Sequence, residues 1–185
     1  MRLFVSVDLP DALADGVAAV QDELRDASGL TFTDPAQAHL TLKFLGEVDR
    51  GRLGELRAAV VGAVEDAGVG PFEATVGGLG AFPSDDYIRV VWLGFEAGSA
   101  ELAALHGAIE DRTVALGFDP ETHDFTPHVT LARMQHAGGK ELVQRALRER
   151  DPTVGSWTVE AVRLTESELG SEGPEYSTVN EFPLG

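Results

Sequence analysis

The sequence predicts an α+β protein, with mainly antiparallel sheets and helices packed outside them. Three observations carry that prediction. Short segments of alternating apolar and polar residues follow one another in pairs rather than each being paired with a helix, which excludes a doubly wound parallel sheet. Gly and Pro punctuate the segments closely and no linker separates two autonomous parts, so residues 1–185 are expected to form one domain of two intimately joined lobes. The pattern His39-Leu40-Thr41-Leu42 also returns as His128-Val129-Thr130-Leu131, which gives each lobe one copy.

Each element has its own signal. In residues 2–8, Leu3, Val5 and Val7 alternate with Arg2, Phe4 and Ser6, the period of a strand. Pro10-Asp11 then opens a helix with Asp11 as N-cap, Leu13, Val17, Val20 and Leu24 as its apolar stripe and Gly29 as its stop. A short extended piece at 30–33 and a turn at Asp34-Pro35 lead into the first motif strand, 38–45. A second helix runs from about 50 to 66, with Gly68 beyond its end. Strands at 72–79 and 87–95 precede a third helix over 99–116, stopped by Gly117. Pro127 holds Thr126 extended just ahead of the second motif strand, which continues to about Met134. A fourth helix at 140–150 and strands at 154–164 and 176–182 complete the chain.

Composition narrows the function classes. Hydrophobic residues make up 43% and charged ones 24%, a balance that folds rather than remaining disordered. No apolar run is long enough to span a bilayer, the N-terminal segment has no signal-peptide anatomy, and cysteine is absent. A cytoplasmic protein without disulfides or thiolate metal ligands is expected. Fourteen Lys and Arg against thirty-one Asp and Glu leave a net charge of −17, spread along the chain. Such dispersed acidity resembles the surface of proteins from salt-loving cells, where molar salt shortens the Debye length to about 3 Å. Broad electrostatic binding of nucleic acid needs a basic face, so a phosphate-bearing ligand must be held by a few short-range contacts.

The doublet supplies the chemistry. Residues i and i+2 of a strand share a face, so His39 with Thr41, and His128 with Thr130, present an imidazole beside a hydroxyl while the aliphatic neighbours turn inward. Either pair alone reads as a hydrogen-bonded surface pair. Two such strands side by side would surround one small space with two imidazoles and two hydroxyls. One imidazole can accept a proton while the other donates, as displacement at phosphorus requires, and the hydroxyls can hold the non-bridging oxygens. Arg133 is a further phosphate candidate, although strand parity turns it away from His128 unless a bulge, a strand end or a twist intervenes. Metal chemistry is disfavoured, because no His-Glu-x-x-His or His-x-His pair is present. No Gly-x-Ser-x-Gly elbow is present either. His106, His123 and His136 are expected in structural or solvated roles.

The segments His39-Leu40-Thr41-Leu42-Lys43-Phe44-Leu45-Gly46 and Pro127-His128-Val129-Thr130-Leu131-Ala132-Arg133 resemble the paired motifs of the two-histidine phosphoesterase superfamily. Within it they resemble the RNA 2′,3′-cyclic phosphodiesterases, also called 2′-5′ RNA ligases. The opening 2–10 and closing 176–184 share the likeness, which therefore spans nearly the whole chain. The resemblance implies a bilobal, pseudo-twofold fold and metal-independent, cofactor-free opening of a terminal 2′,3′-cyclic phosphate to a 2′-phosphate. By analogy His39 would protonate the departing 3′-oxygen and His128 would activate water. Thr41, Thr130 and Arg133 would grip the phosphate, and Phe44 and Phe125 would stack on a base. The implied partners are RNA ends or nucleotides bearing that cyclic phosphate, met by a monomer away from any membrane. Residues 123–126 lack the basic residues that relatives often carry there, which favours short ends. Two alternatives use the same residues: sealing of 2′-5′ linkages in split tRNA, and binding of an RNA end or nucleotide without turnover.

Overall fold

Alternation along residues 2–8 builds β1 (Arg2–Asp8), which buries Leu3, Val5 and Val7 on one face and sets Phe4, Ser6 and Asp8 on the other. The computed structural model describes every residue from Met1 to Gly185. Its remaining strands are β2 (Leu30–Phe32), β3 (His39–Glu47), β4 (Phe72–Pro83), β5 (Ile88–Ala97), β6 (Val129–Met134), β7 (Thr153–Val159), β8 (Ala161–Gly170) and β9 (Gly173–Pro183). The helices are α1 (Ala14–Asp22), α2 (Leu53–Ala67), α3 (Ser99–Ala115) and α4 (Lys140–Glu149).

All nine strands join one antiparallel sheet in the order β7-β4-β5-β6-β3-β1-β8-β9, with β2 added to β6. Midway along it, β3 and β6 pair only at Leu40 and Val129. Two apolar clusters flank this pinch. One is built mainly from β1, β3, β8, β9, α2 and α3, the other from α1, β5, β6 and α4. Helices therefore exchange sides: α1 follows β1 but packs under β6, and α3 follows β5 but packs under β3. No helix is long and apolar enough to cross a membrane.

Several boundaries differ from the sequence reading, each for a physical reason. Asp11 does not cap α1; it lies in a 3-10 turn over Asp11–Leu13 whose entry makes no side-chain cap. Gly29 is not a helix stop, since α1 ends at Asp22. A Cβ on Gly29 would lie 2.0 Å from the His136 carbonyl oxygen, so this glycine permits a close crossing of two loops. Gly68 does end α2, at φ 63°. The single strand expected over 154–164 is two, broken at Glu160: β7 pairs with β4 and β8 with β1, so this residue carries the chain from one half of the sheet to the other. Neither Gly nor Pro marks the break. The turn at Asp34-Pro35 is a short 3-10 helix (Pro35–Gln37), capped by the Asp34 carboxylate, which accepts from Ala36 N at 2.9 Å.

Candidate active site

The two motif copies meet at the pinch. Because Leu40 pairs with Val129 and the strands are antiparallel, His39 lies across from Thr130 and Thr41 across from His128. Each imidazole is therefore diagonal to the other, with a hydroxyl beside it on its own strand and another opposite.

A bulge follows each motif, in the same place. The β1–β3 register shifts between Val5 and Ser6, leaving Leu42 as the extra residue, and the β5–β6 register shifts between Val91 and Trp92, leaving Leu131 as the extra one. A bulge reverses the alternation of faces. Leu42 and Lys43 are accordingly both buried, as are Leu131 and Ala132. The next residues, Phe44 and Arg133, return to the face of the His and Thr. This supplies the bulge that strand parity required of Arg133, and its charge acts on both imidazoles.

The imidazoles are held by a shared device. His39 Nδ1 donates to the Gln37 carbonyl at 2.9 Å, and His128 Nδ1 donates to the Thr126 carbonyl at 2.7 Å. A carbonyl only accepts, so each ring carries its proton on Nδ1 when neutral and keeps Nε2 free. Pro127 keeps Thr126 extended, and the short 3-10 helix sets Gln37. Gln37 does more, since its Oε1 accepts from Tyr176 N at 3.0 Å and so ties His39 to β9.

Aromatic rings enclose each imidazole. Phe4 lies 5.0 Å and Tyr176 4.9 Å from the His39 ring; Phe82 lies 4.8 Å and Trp92 5.9 Å from that of His128. Trp92 lies flat because it faces Gly80, where a Cβ would come within 2.2 Å of the indole. Burial pushes both imidazoles below their ordinary pKa. For His39 the Gln37 bond and the Asp8 carboxylate oppose that shift, and Arg133 adds to it. For His128 only the Thr126 bond opposes it, while Arg133 and His39 add to it. Asp8 pairs with His39 across β1 and β3, and its Oδ2 accepts from Arg163 Nη1 at 2.7 Å.

The remaining candidates separate. Phe44 is 62% exposed on the motif face and free to meet a ligand. Phe125 is not: it stacks on His106 at 4.1 Å with 5° between the planes and packs against the larger apolar cluster, so its expected base-stacking role gives way to packing. His106 Nδ1 in turn donates to the Leu42 carbonyl at 2.7 Å, propping the bulge from behind. His136 Nδ1 accepts from Gly138 N, and His123 is exposed in a loop. No three His, Cys, Asp or Glu side chains converge as a metal-ligand set. The sequence reading does not single out Asp8, Gln37, Phe82, Trp92, Arg163 and Tyr176. Only Asp8 and Tyr176 leave a trace there, within the opening and closing segments that carry the family likeness.

Comparison with known proteins supplies the family. The family model described as the 2′-5′ RNA ligase superfamily matches residues 9–170. An RNA 2′,3′-cyclic phosphodiesterase of Methanothermobacter thermautotrophicus is 36% identical over 100% of this chain and 99% of its own. One from Methanocaldococcus jannaschii is 30% identical over 98% and 100%. Among solved structures, TT0787 of Thermus thermophilus superposes with a TM-score of 0.80 at 30% identity, covering 100% of this chain and 98% of that one. Escherichia coli LigT complexed with 3′-AMP shares the fold, with a TM-score of 0.81 at 23% identity over 99% and 97%. With a family model matched along most of its length and full-length archaeal relatives at 30% identity or more, the chain belongs to the 2′-5′ RNA ligase superfamily.

Proposed function

We propose that the protein is an RNA 2′,3′-cyclic phosphodiesterase, a hydrolase that opens a terminal cyclic phosphate to a 2′-phosphate by acid–base catalysis on two histidines. The observation that carries this reading is the matched anchoring of His39 and His128, each with Nδ1 on the carbonyl two residues upstream and Nε2 free. Water attacks phosphorus in line with the P–O3′ bond. His128 Nε2 takes the water proton as the new P–O bond forms, and His39 Nε2–H delivers a proton to O3′ as that bond breaks. Thr41 and Thr130 hold the non-bridging oxygens, Arg133 neutralises the charge that gathers on them, and Phe44 offers a ring to a base. Residues 1–185 act as one catalytic domain of two lobes. Because one chain supplies both motifs, a monomer is complete. RNA ends or nucleotides bearing the cyclic phosphate are the substrates, and the curated relatives bear the name of this activity.

The test is incubation with a 2′,3′-cyclic-phosphate oligonucleotide, with EDTA, in high and low salt. A 2′-phosphate product that disappears in both His39→Ala and His128→Ala is expected. Full turnover in both variants, or tight binding of the cyclic phosphate with no product from the wild type, would overturn the proposal.

A further inference from the structure

A cavity of about 570 Å³ opens beside His39 and away from His128. Its volume lies within the roughly 300–1,000 Å³ of small-ligand sites. Phe4, Tyr176 and Trp157 give it aromatic walls, and Thr165 and Thr178 line it with hydroxyls. Its charge is opposite to what an RNA backbone needs. Asp8, Asp11, Glu160 and Glu181 line it with Arg163 as the one guanidinium, whose charge is already paired: its Nη1 donates to Asp8 at 2.7 Å and its Nε to Glu181 Oε2 at 3.0 Å. Glu181 Oε1 has no protein partner. Arg133, by contrast, lies where its charge reaches both imidazoles. Cation beside the histidines and carboxylates in the adjoining cavity divide the space into a phosphate place and a place where phosphate is repelled.

We propose that this cavity is the subsite for the terminal nucleoside of the substrate, with Glu181 Oε1 accepting a hydrogen bond from an exocyclic amino group of the base. This rests on the phosphodiesterase reading above. The nucleoside is the one part of an RNA end without charge, so it is the part an acidic cavity admits. The phosphodiester chain leaves by another path. Because salt screens distant charge, selection depends on the direct hydrogen bond rather than on the field. Adenine, cytosine and guanine each present an amino group to a carboxylate. Uracil presents two carbonyls around its one N–H, and a carboxylate repels both.

The experiment compares kcat/KM for the four nucleoside 2′,3′-cyclic phosphates, with a base-less 1-O-methylribose 2,3-cyclic phosphate as reference. The wild type is expected to open the adenosine, cytidine and guanosine substrates roughly tenfold faster than the uridine one. In Glu181→Ala that spread should shrink to within about twofold. Thr178→Trp, which fills the cavity, should bring all four down towards the base-less rate, and it serves as the second variant if Glu181→Ala does not fold. Equal rates for the four in the wild type, or an unchanged spread in the variants, would overturn the subsite and leave the phosphodiesterase reading intact. Failure of the wild type to open any of the five would overturn that reading instead.

Discussion

The two motif copies share a backbone and differ in their neighbours. Each has an upstream carbonyl on Nδ1, a His and a Thr on one face, and a bulge that buries the next two residues. After the bulge the halves part. Lys43 occupies the place of Ala132, and Phe44 that of Arg133. His39 has a carboxylate across the strand pair, while the β1–β3 and β5–β6 registers put Gly94 at the corresponding place for His128. The repeat thus builds two equivalent ligand-facing imidazoles, and the single substitutions around them give each a separate task.

The largest test of the comparison is removal of an imidazole. His39→Ala and His128→Ala should each lower kcat by about 10²–10⁴-fold. The double variant should be little worse than either single one, because acid and base act as a unit. Rate assays at fixed pH decide this, and additive losses would mean that the two rings work in separate steps.

Lys43 is where the halves differ most in stability. Its Nζ is buried and donates to Glu110 at 2.8 Å and to the Asp119 carbonyl at 2.6 Å, joining α3 to the loop that leads into the second motif. Breaking a buried pair strands its partner, so Lys43→Ala should cost about 3 kcal/mol in urea unfolding, and Lys43→Met less. Burial alone would raise the Glu110 carboxyl, but the Lys43 hydrogen bond, the Glu121 N–H and the charges of Lys43 and His106 together hold it below its ordinary value. A depressed carboxyl stabilises above its unfolded pKa and loses that contribution as pH falls through its folded one. Wild type and Lys43→Ala should therefore converge in acid.

Lys43 also marks where the sequence stops being legible. The His and Thr faces and most strands follow from a period of two, and the helices from a period of 3.6. The bulges do not, since Leu42 and Leu131 are ordinary strand residues whose extra place depends on the register of β1 and β5. A strict period of two would therefore put Lys43 on the face of His39, and it turns Arg133 away from His128. Tyr176 and Trp92 reach the imidazoles only because the sheet places β9 and β5 nearby. Phe125 looks free because nothing local foretells that His106 of α3 stacks on it.

The Phe44–Arg133 exchange comes next in size. Arg133→Ala should lower kcat/KM by about 10–100-fold, since a charge-assisted bond to phosphate is lost. Phe44→Ala should cost about threefold or less, through KM, because stacking on an exposed ring is weak. If the two bulges are functionally equivalent, Phe44→Arg in the Arg133→Ala background should recover several-fold of the loss. No recovery would show that the phosphate grip belongs to one half alone.

The smallest effect tells the halves apart. Both imidazoles lie below their ordinary pKa, so the rate should follow a bell on the acid side of free imidazole, described by two macroscopic values of the coupled pair. Asp8 favours the charged form of His39, and the Asp8→Asn variant removes that help. Arg163 of β8, Tyr176 of β9, and Arg133 and His128 on the β6 side stay in place around the ring, so the His39 value alone should fall. If His39 is the acid, it must be protonated to work, and the alkaline limb of kcat/KM moves to lower pH while the acid limb stays. If His39 is the base, it must be neutral, and the acid limb moves instead, widening the bell. Which limb the loss of one carboxylate moves thus tests the assignment of His39 as acid, which the repeated motif, being the same in both halves, does not fix.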